Sequence, residues 1–319
     1  MKNNRFKSKK VAIIGAGIIG LYLGWKLSEK GEQVTIFEKK GIIGKEACSG
    51  LFSERILEFI PESRRLIQNE INSCLIHFPR KSINVKFSKT FFVMSHADLD
   101  MLIADLAQNA GTQIIKNCPI HSHIAVFGEF DRVIGCDGAN SVVRKSLGLK
   151  EPNYRLGILG FIAERNIADY VEIWPVKKGF IWKIPRGEKI EYGIIAGVSG
   201  ARKLFEEFLR EKNIKVENMK STMIPQGLII PKNSAVTLCG DAVGLTKPWS
   251  GGGVIWGLIA AEMLLNNFPD FLKYRQAMKK FFLLKIMISK AAVKTVYFLG
   301  FNFPWLLPKN IKIESDFLI

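Results

Sequence analysis

Apolar and polar residues alternate along this chain in two rhythms, one suited to buried strands and one to helices. Residues 11–14 (Val-Ala-Ile-Ile) form an unbroken apolar run, as expected of a strand covered on both faces. Glycines stand at 15, 17 and 20 behind it. The spacing then predicts a helix over 21–30, a turn at Gly31 and a second buried strand over 34–37 that ends at Glu38. Strand, glycine turn, helix and strand within about thirty residues make a βαβ unit. Further on, 41–50 reads as a glycine-rich loop and 51–59 as a short helix. The segments 75–78, 85–87 and 91–94 read as short strands of an inserted sheet. Residues 96–110 carry Leu99, Leu102, Ile103, Leu106 and Ala107 on one helical face, closed by Gly111. A strand is expected over 113–116, another over 132–136 before Asp137-Gly138, and a turn with a short helix over 139–147.

Four strands separated by turn residues follow at 154–164, 171–174, 180–183 and 190–196, with an amphipathic helix over 201–212. The run 235–239 returns to the first sheet, and a loop over 245–252 leads into a helix over 253–266. The expected class is α/β. A Rossmann-like dinucleotide-binding domain is assembled from 1–150 and 231–268, a β-rich domain is inserted at 151–230, and a basic amphipathic helical region occupies 269–319.

The first βαβ unit carries chemistry. Gly15 allows a tight turn, Gly17 lets a pyrophosphate approach the backbone, and Gly20 lets the helix lie close to the strand. The helix start, with Ala16 and Gly17 before it, offers free N–H groups and the positive end of its dipole to phosphate. Glu38 stands where a carboxylate accepts from ribose hydroxyls. The pattern indicates a dinucleotide and leaves NAD and FAD both open.

With 319 residues and 48% hydrophobic content, the chain has material for one large or two intimate domains. An excess of Lys+Arg (46) over Asp+Glu (29) gives a formal charge of +17. That charge fits an anionic membrane surface or a Lys-rich solvated face; no nucleic-acid-reading module accompanies it, and no nucleic-acid partner is expected. The cysteines at 48, 74, 118, 136 and 239 are odd in number and form no CxxC pair. They point to a reduced, cytoplasmic setting and no metal site. The basic N-terminus runs into the βαβ unit and does not read as a signal peptide, and no apolar segment reaches spanning length.

Three segments together resemble the FAD-dependent geranylgeranyl reductase family, within the p-hydroxybenzoate-hydroxylase-like flavoprotein fold. They are GAGIIG (15–20) with Glu38, CDGANSVVR (136–144) and GDAVGLTKPWSGGGVIWGL (240–258). ACSGL (47–51) is similar to the family's cysteine-containing loop, and GFIWKIP (179–185) to its Tyr-x-Trp-x-Phe-Pro segment, with Phe for Tyr and Ile for Phe. The resemblance spans roughly residues 10–260. It implies FAD as cofactor, held by Gly15, Ala16, Gly17, Gly20, Glu38, Ala47, Cys48, Gly50, Asp137, Asp241, Gly253 and Val254. It also implies cofactor contacts at His96, where the family usually has Arg, and at Ile120 near the adenine side. Asp241 would accept from a ribityl or ribose hydroxyl, and the amides of Gly253 and Val254 would face the pyrimidine end of the flavin. Cys48 is the candidate catalytic group, placed to handle the proton of C=C reduction. Trp174, Phe180 and Trp182 are expected to line an apolar tunnel, or to form the core of the β-sheet.

The implied activity is saturation of geranylgeranyl chains, on archaeal membrane phospholipid precursors, with a ferredoxin-type protein or NAD(P)H as electron donor. A monooxygenase of the same fold is the alternative. The tail over 271–298 sets lysines among Phe, Leu, Ile and Met. Such a helix can lie peripherally in a bilayer interface, cap a tunnel or pack on the body.

Overall fold

The apolar runs at 11–14, 34–37 and 132–136 become the middle of a five-stranded parallel sheet. In the computed structural model, which describes residues 8–44, 48–122, 128–314 and 316, its order is β13 (Val236–Leu238), β7 (Arg132–Gly135), β1 (Lys10–Ile14), β2 (Gln33–Phe37) and β6 (Gln113–Ile115). Val11, Ala12 and Ile13 have no exposed surface. Continuous apolar strands fit this position, because helices cover the sheet. Helix α1 (Ile18–Glu29) packs against α3 (His96–Asn109) and α6 (Val254–Asn267). The sheet therefore takes strands from both sides of the inserted β-rich segment.

The second sheet has nine strands. Its order is β12 (Glu217–Gln226), β8 (Asn153–Ile162), β11 (Ile190–Gly197), β10 (Gly179–Pro185), β9 (Tyr170–Val176), β4 (Ile67–Phe78), β5 (Lys81–Met94) and β14 (Asn310–Ile313), with β3 (Leu51–Ser53) also on β5. One face packs on α5 (Ala201–Glu211) through Ala201, Phe205 and Leu209. The other carries Cys74, Val85, Leu159, Val171, Phe180, Trp182 and Ile195.

This sheet draws on more of the chain than the segment 151–230. The short strands expected at 75–78, 85–87 and 91–94 belong to β4 and β5, which reach the inserted strands through parallel pairing of β4 with β9. The first half of β4, Ile-Gln-Asn-Glu-Ile-Asn-Ser, is too polar to read as a buried run. Residues 51–59 are β3 followed by α2 (Ile56–Phe59), not one helix. The C-terminal region is not wholly helical, because β14 pairs in parallel with β5. A further short helix, α4 (Val142–Ser146), follows β7.

Helix α7 (Phe271–Asn302) is capped by Asp270, whose Oδ1 accepts from Leu272 N at 3.1 Å and Lys273 N at 3.0 Å. Phe271, Tyr274, Met278 and Phe282 form its buried stripe at helical spacing. Tyr274 OH donates to Leu238 O at 3.1 Å, tying α7 to the end of β13. Phe282 has no exposed surface and its ring centroid lies 5.3 Å from that of Trp256 in α6. Phe282→Ala is expected to destabilise the protein by about 3–5 kcal/mol through the cavity it leaves, read as a lower denaturation midpoint at unchanged m-value.

Candidate active site

The glycine turn is built on backbone-to-backbone contact. Gly15 has φ +102° and a Cβ there would stand 2.6 Å from Cys136 O. A Cβ on Gly20 would stand 2.1 Å from Gly15 O, so α1 can start at this distance from β1 only with glycine. Gly17, by contrast, has nothing within 4 Å of its Cβ position. Helix α1 has no side-chain cap and no acidic residue in its first turn. Its leading residues Gly17, Ile18 and Ile19 line the cavity described below, and an uncapped helix start suits an anion. The Ala16 N–H donates to Glu38 Oε2 at 2.8 Å, and the Lys40 N–H to Oε1 at 2.9 Å. The Glu38 carboxylate is thereby held over the glycine turn, and Cys118 N–H donates to Glu38 O at 2.9 Å. Ile120 follows on that loop and packs, half-buried, against the first core rather than on the cavity described next.

Asp137 stands at the end of β7, against the helix that follows. Its Oδ2 accepts from Val142 N at 2.6 Å and Val143 N at 3.1 Å, so the carboxylate holds the start of α4. Its neighbours Cys136 and Gly138 line the cavity, whereas Asp137 itself does not.

A cavity of about 420 Å³ runs from the carboxyl edge of the first sheet onto the apolar face of the second. Gly17, Cys48, His96, Asp241, Gly253 and Val254 stand on its wall at one end. Phe180 and Trp182 stand on the other, with Phe87, Phe91 and Ile313. Helix α6 again starts without a side-chain cap or an acid in its first turn. Gly253 lies so close to Asp241 that a Cβ there would stand 2.8 Å from Asp241 Oδ1. Gly251 has φ +71°, and a Cβ would fall 2.4 Å from Ile195 Cδ1, so this turn sits directly on the second sheet.

Cys48 is half-buried, and the Gly50 N–H points to its Sγ at 3.5 Å. Gly50 has φ +60°, with its Cβ position 2.1 Å from Met94 O, and forms the bend behind Cys48 rather than the cavity wall. Ala47 lies outside the described residues. Cys74, Cys136 and Cys239 also line the cavity. Burial pushes all three thiols up, that of Cys239 to about 12, so they serve as apolar wall. His96 lies buried at the start of α3. Ser95 caps α3, and His96 is 8% exposed, on the cavity wall, with Nε2 3.6 Å from Asp100 Oδ1.

Trp174 is a correction. In an antiparallel pair, residues opposite one another share a face. Trp174 stands opposite Ile181, whereas Phe180 and Trp182 point to the other side. Trp174 stacks on His77 at 5.1 Å and meets Phe208 of α5 at 5.1 Å, so it belongs to the layer behind the sheet and not to the cavity.

Two charged groupings were not anticipated. Glu191 is fully buried in β11; its Oε1 accepts from Trp182 Nε1 at 2.8 Å, and its Oε2 from Arg186 Nε at 2.8 Å. Arg186 Nη2 also donates to Ser49 O, which bridges the substrate-side sheet to the Cys48 loop. Burial pushes the Glu191 carboxyl up, against the opposing pull of Arg186. A lone acid within the apolar strand 190–196 was the available signal. The second grouping joins Lys247 of the cavity wall to Asp316, whose other oxygen accepts from Ser53 Oγ. The Asp316 carbonyl accepts from Trp256 Nε1 at 3.0 Å.

Comparison with known proteins bears on this arrangement. Residues 10–93 match the family model described as FAD dependent oxidoreductase. The chain has the fold of the FAD-dependent flavoproteins, and it binds FAD. It is 24% identical over 292 residues to digeranylgeranylglycerophospholipid reductase 1 of Methanosphaera stadtmanae, covering 78% of this chain and 72% of that protein. It is 23% identical over 352 aligned positions to kynurenine 3-monooxygenase of Drosophila willistoni, covering 88% and 76%. Among solved structures, a geranylgeranyl bacteriochlorophyll reductase-like protein of Thermoplasma acidophilum superposes with a TM-score of 0.80 at 20% identity, over 91% of this chain and 88% of that one.

The residues present fit FAD. Two uncapped helix starts face one cavity, Glu38 stands at the first and Asp241 at the second, and Gly17 leaves room where a pyrophosphate must come close. Gly17→Ala is expected to fold normally, because the space is open, yet to weaken FAD binding roughly tenfold or more. Gly20→Ala is expected to displace α1 and yield protein without flavin. Titration of the apoprotein with FAD, followed by flavin fluorescence, and thermal melts of both variants separate the two outcomes.

Proposed function

We propose that this flavoprotein reduces C=C bonds of geranylgeranyl chains, most simply those of membrane phospholipid precursors. The observation that carries the reading is the far wall of the cavity. Phe87, Phe91, Val171, Ile173, Phe180, Trp182, Ile184 and Ile195 present an extended apolar surface that begins at the flavin-side loops. A flexible hydrocarbon is held there by burial alone. The similarity to digeranylgeranylglycerophospholipid reductase supports the same substrate class.

FAD held by these residues, once reduced, would supply the hydride. The chain's own residues supply the rest. Trp182, fixed by Glu191, and Phe180 position the polyprenyl chain, and the apolar wall excludes water. Cys48, on the cavity wall, holds a proton at Sγ for the second carbon of the bond. The helix start at Gly253–Val254 presents N–H groups that favour negative charge beside it. A ferredoxin-type protein or NAD(P)H is the proposed electron source.

Incubation of the reduced protein with geranylgeranylated lipid should give a product heavier by one H2 per bond in mass spectrometry; unchanged lipid would sink the proposal. Cys48→Ala should retain flavin but slow its single-turnover reoxidation by lipid roughly 10²-fold. The second reading, a monooxygenase, rests on the likeness to kynurenine 3-monooxygenase along most of the chain. Oxygen uptake stimulated by NAD(P)H in the presence of an aromatic substrate, with no lipid product, would establish it instead.

A further inference from the structure

Helix α7 has 32 residues and so runs about 48 Å. Its inner stripe packs on α6 and the end of β13 through Tyr274, Met278 and Phe282. Its outer side is not polar. Leu284, Met287 and Phe298 are 63%, 67% and 58% exposed, and their spacing of three and eleven residues places them on one face. Leu283, Ile288 and Phe301 flank them, all exposed. The face continues into the next turn, where Trp305 and Leu306 are 66% and 61% exposed. Large apolar side chains on a solvent-facing helix stripe mark an interaction surface.

The charge of the same helix selects the partner. Lys273, Lys280, Lys290 and Lys294 are exposed along it, and its sequence contains Arg275 and further lysines but no Asp or Glu. A second copy of the chain would set lysines against lysines in a protein of net charge +17. Apolar and aromatic residues bordered by lysines match the layering of a bilayer surface, where tails, carbonyls and anionic head groups succeed one another. No helix among the described residues is long and apolar enough to cross a membrane, so the helix lies along the surface.

We propose that the outer face of α7, with the Phe303–Trp305–Leu306 turn, seats this protein on an anionic lipid bilayer. The inference stands apart from the reductase reading, because it uses no residue of the cavity and its test involves no turnover. Leu307, directly after the turn, is buried in the apolar core of the second sheet, and β14 carries Ile313 to the cavity wall. The seated surface and the substrate wall are thus consecutive in the chain.

The test is flotation of the FAD-loaded full chain with vesicles of equal parts phosphatidylcholine and phosphatidylglycerol, against vesicles of phosphatidylcholine alone. Binding is expected to the anionic vesicles, to fall at least tenfold between low and high salt, and to be lost in the triple variant Leu284→Glu, Met287→Glu, Trp305→Glu. Flavin absorbance and melting temperature of that variant should match the parent, since all three side chains are exposed. The tryptophan emission shift on adding anionic vesicles should disappear in Trp305→Phe. Failure of the parent to float at low salt overturns the proposal, as does undiminished flotation of a folded triple variant. Concentration-dependent dimerisation that the triple variant abolishes, without vesicle binding by the parent, also overturns it in favour of a second copy.

Discussion

One close backbone approach governs the rest of the site. Between Gly20 and the carbonyl of Gly15 there is no room for a methyl group, and Gly15 itself lies against the backbone of Cys136. These contacts lock the start of α1 to the ends of β1 and β7 simultaneously. Because the helix begins there and has no cap of its own, its unsatisfied amides are aimed at one point beyond the sheet edge. Strand β13, on the far side of β7, then delivers Asp241 and the Gly251–Gly253 turn to the same edge. The first sheet is in this sense a jig: its order decides which loops meet, and the glycines decide how near.

The second sheet solves a different problem. It must present a broad apolar surface without collapsing onto the loops opposite. An ion pair with a fully buried carboxylate does part of this work. Glu191 and Arg186 join the β10–β11 hairpin to Trp182 in front and to the Ser49 carbonyl across the gap. Burying the carboxylate is costly on its own, and the guanidinium together with the indole N–H offsets that cost. Because each partner answers a need of the other, the spacing between the Cys48 loop and the apolar wall has one stable value rather than a range. A pair of leucines in place of the two charges would fill volume but would not set that distance.

How much of this was legible in the sequence depends on what kind of constraint each residue answers. Gly15, Gly17, Gly20 and Glu38 respond to local backbone geometry, so their spacing alone places them. The same holds for the strand-turn-helix at Asp241 and Gly253. Trp174 shows where locality ends. Its facing is set by the two-residue turn at Lys177-Lys178, which pairs Val176 with Gly179 and leaves Trp174 opposite Ile181. Lys178 takes φ +62° there without the Asn-Gly signature that would announce such a turn. The polar half of β4 and the four residues of β14 owe their strand state to partners far along the chain, as does the pairing of Lys247 with Asp316 across 69 residues. Asp137 was placed at the right strand end, but its carboxylate turned to the α4 amides, an option that spacing leaves equal.

The bond between Lys247 and Asp316 has a consequence for how occupancy is felt. Lys247 borders the cavity, Ile313 forms part of its wall, and the chain between them runs through α6 and α7 and returns as β14. Whatever fills the cavity therefore leans on the returning segment, and the docked segment in turn shapes the space that is filled. Such mutual dependence is symmetric in free energy: a guest that favours the closed wall holds the segment down by as much as the segment improves the fit of the guest. The last strand is thus a reporter of the interior, coupled to it through Ile313 on the cavity wall and through Asp316, which Lys247 and Arg55 both hold.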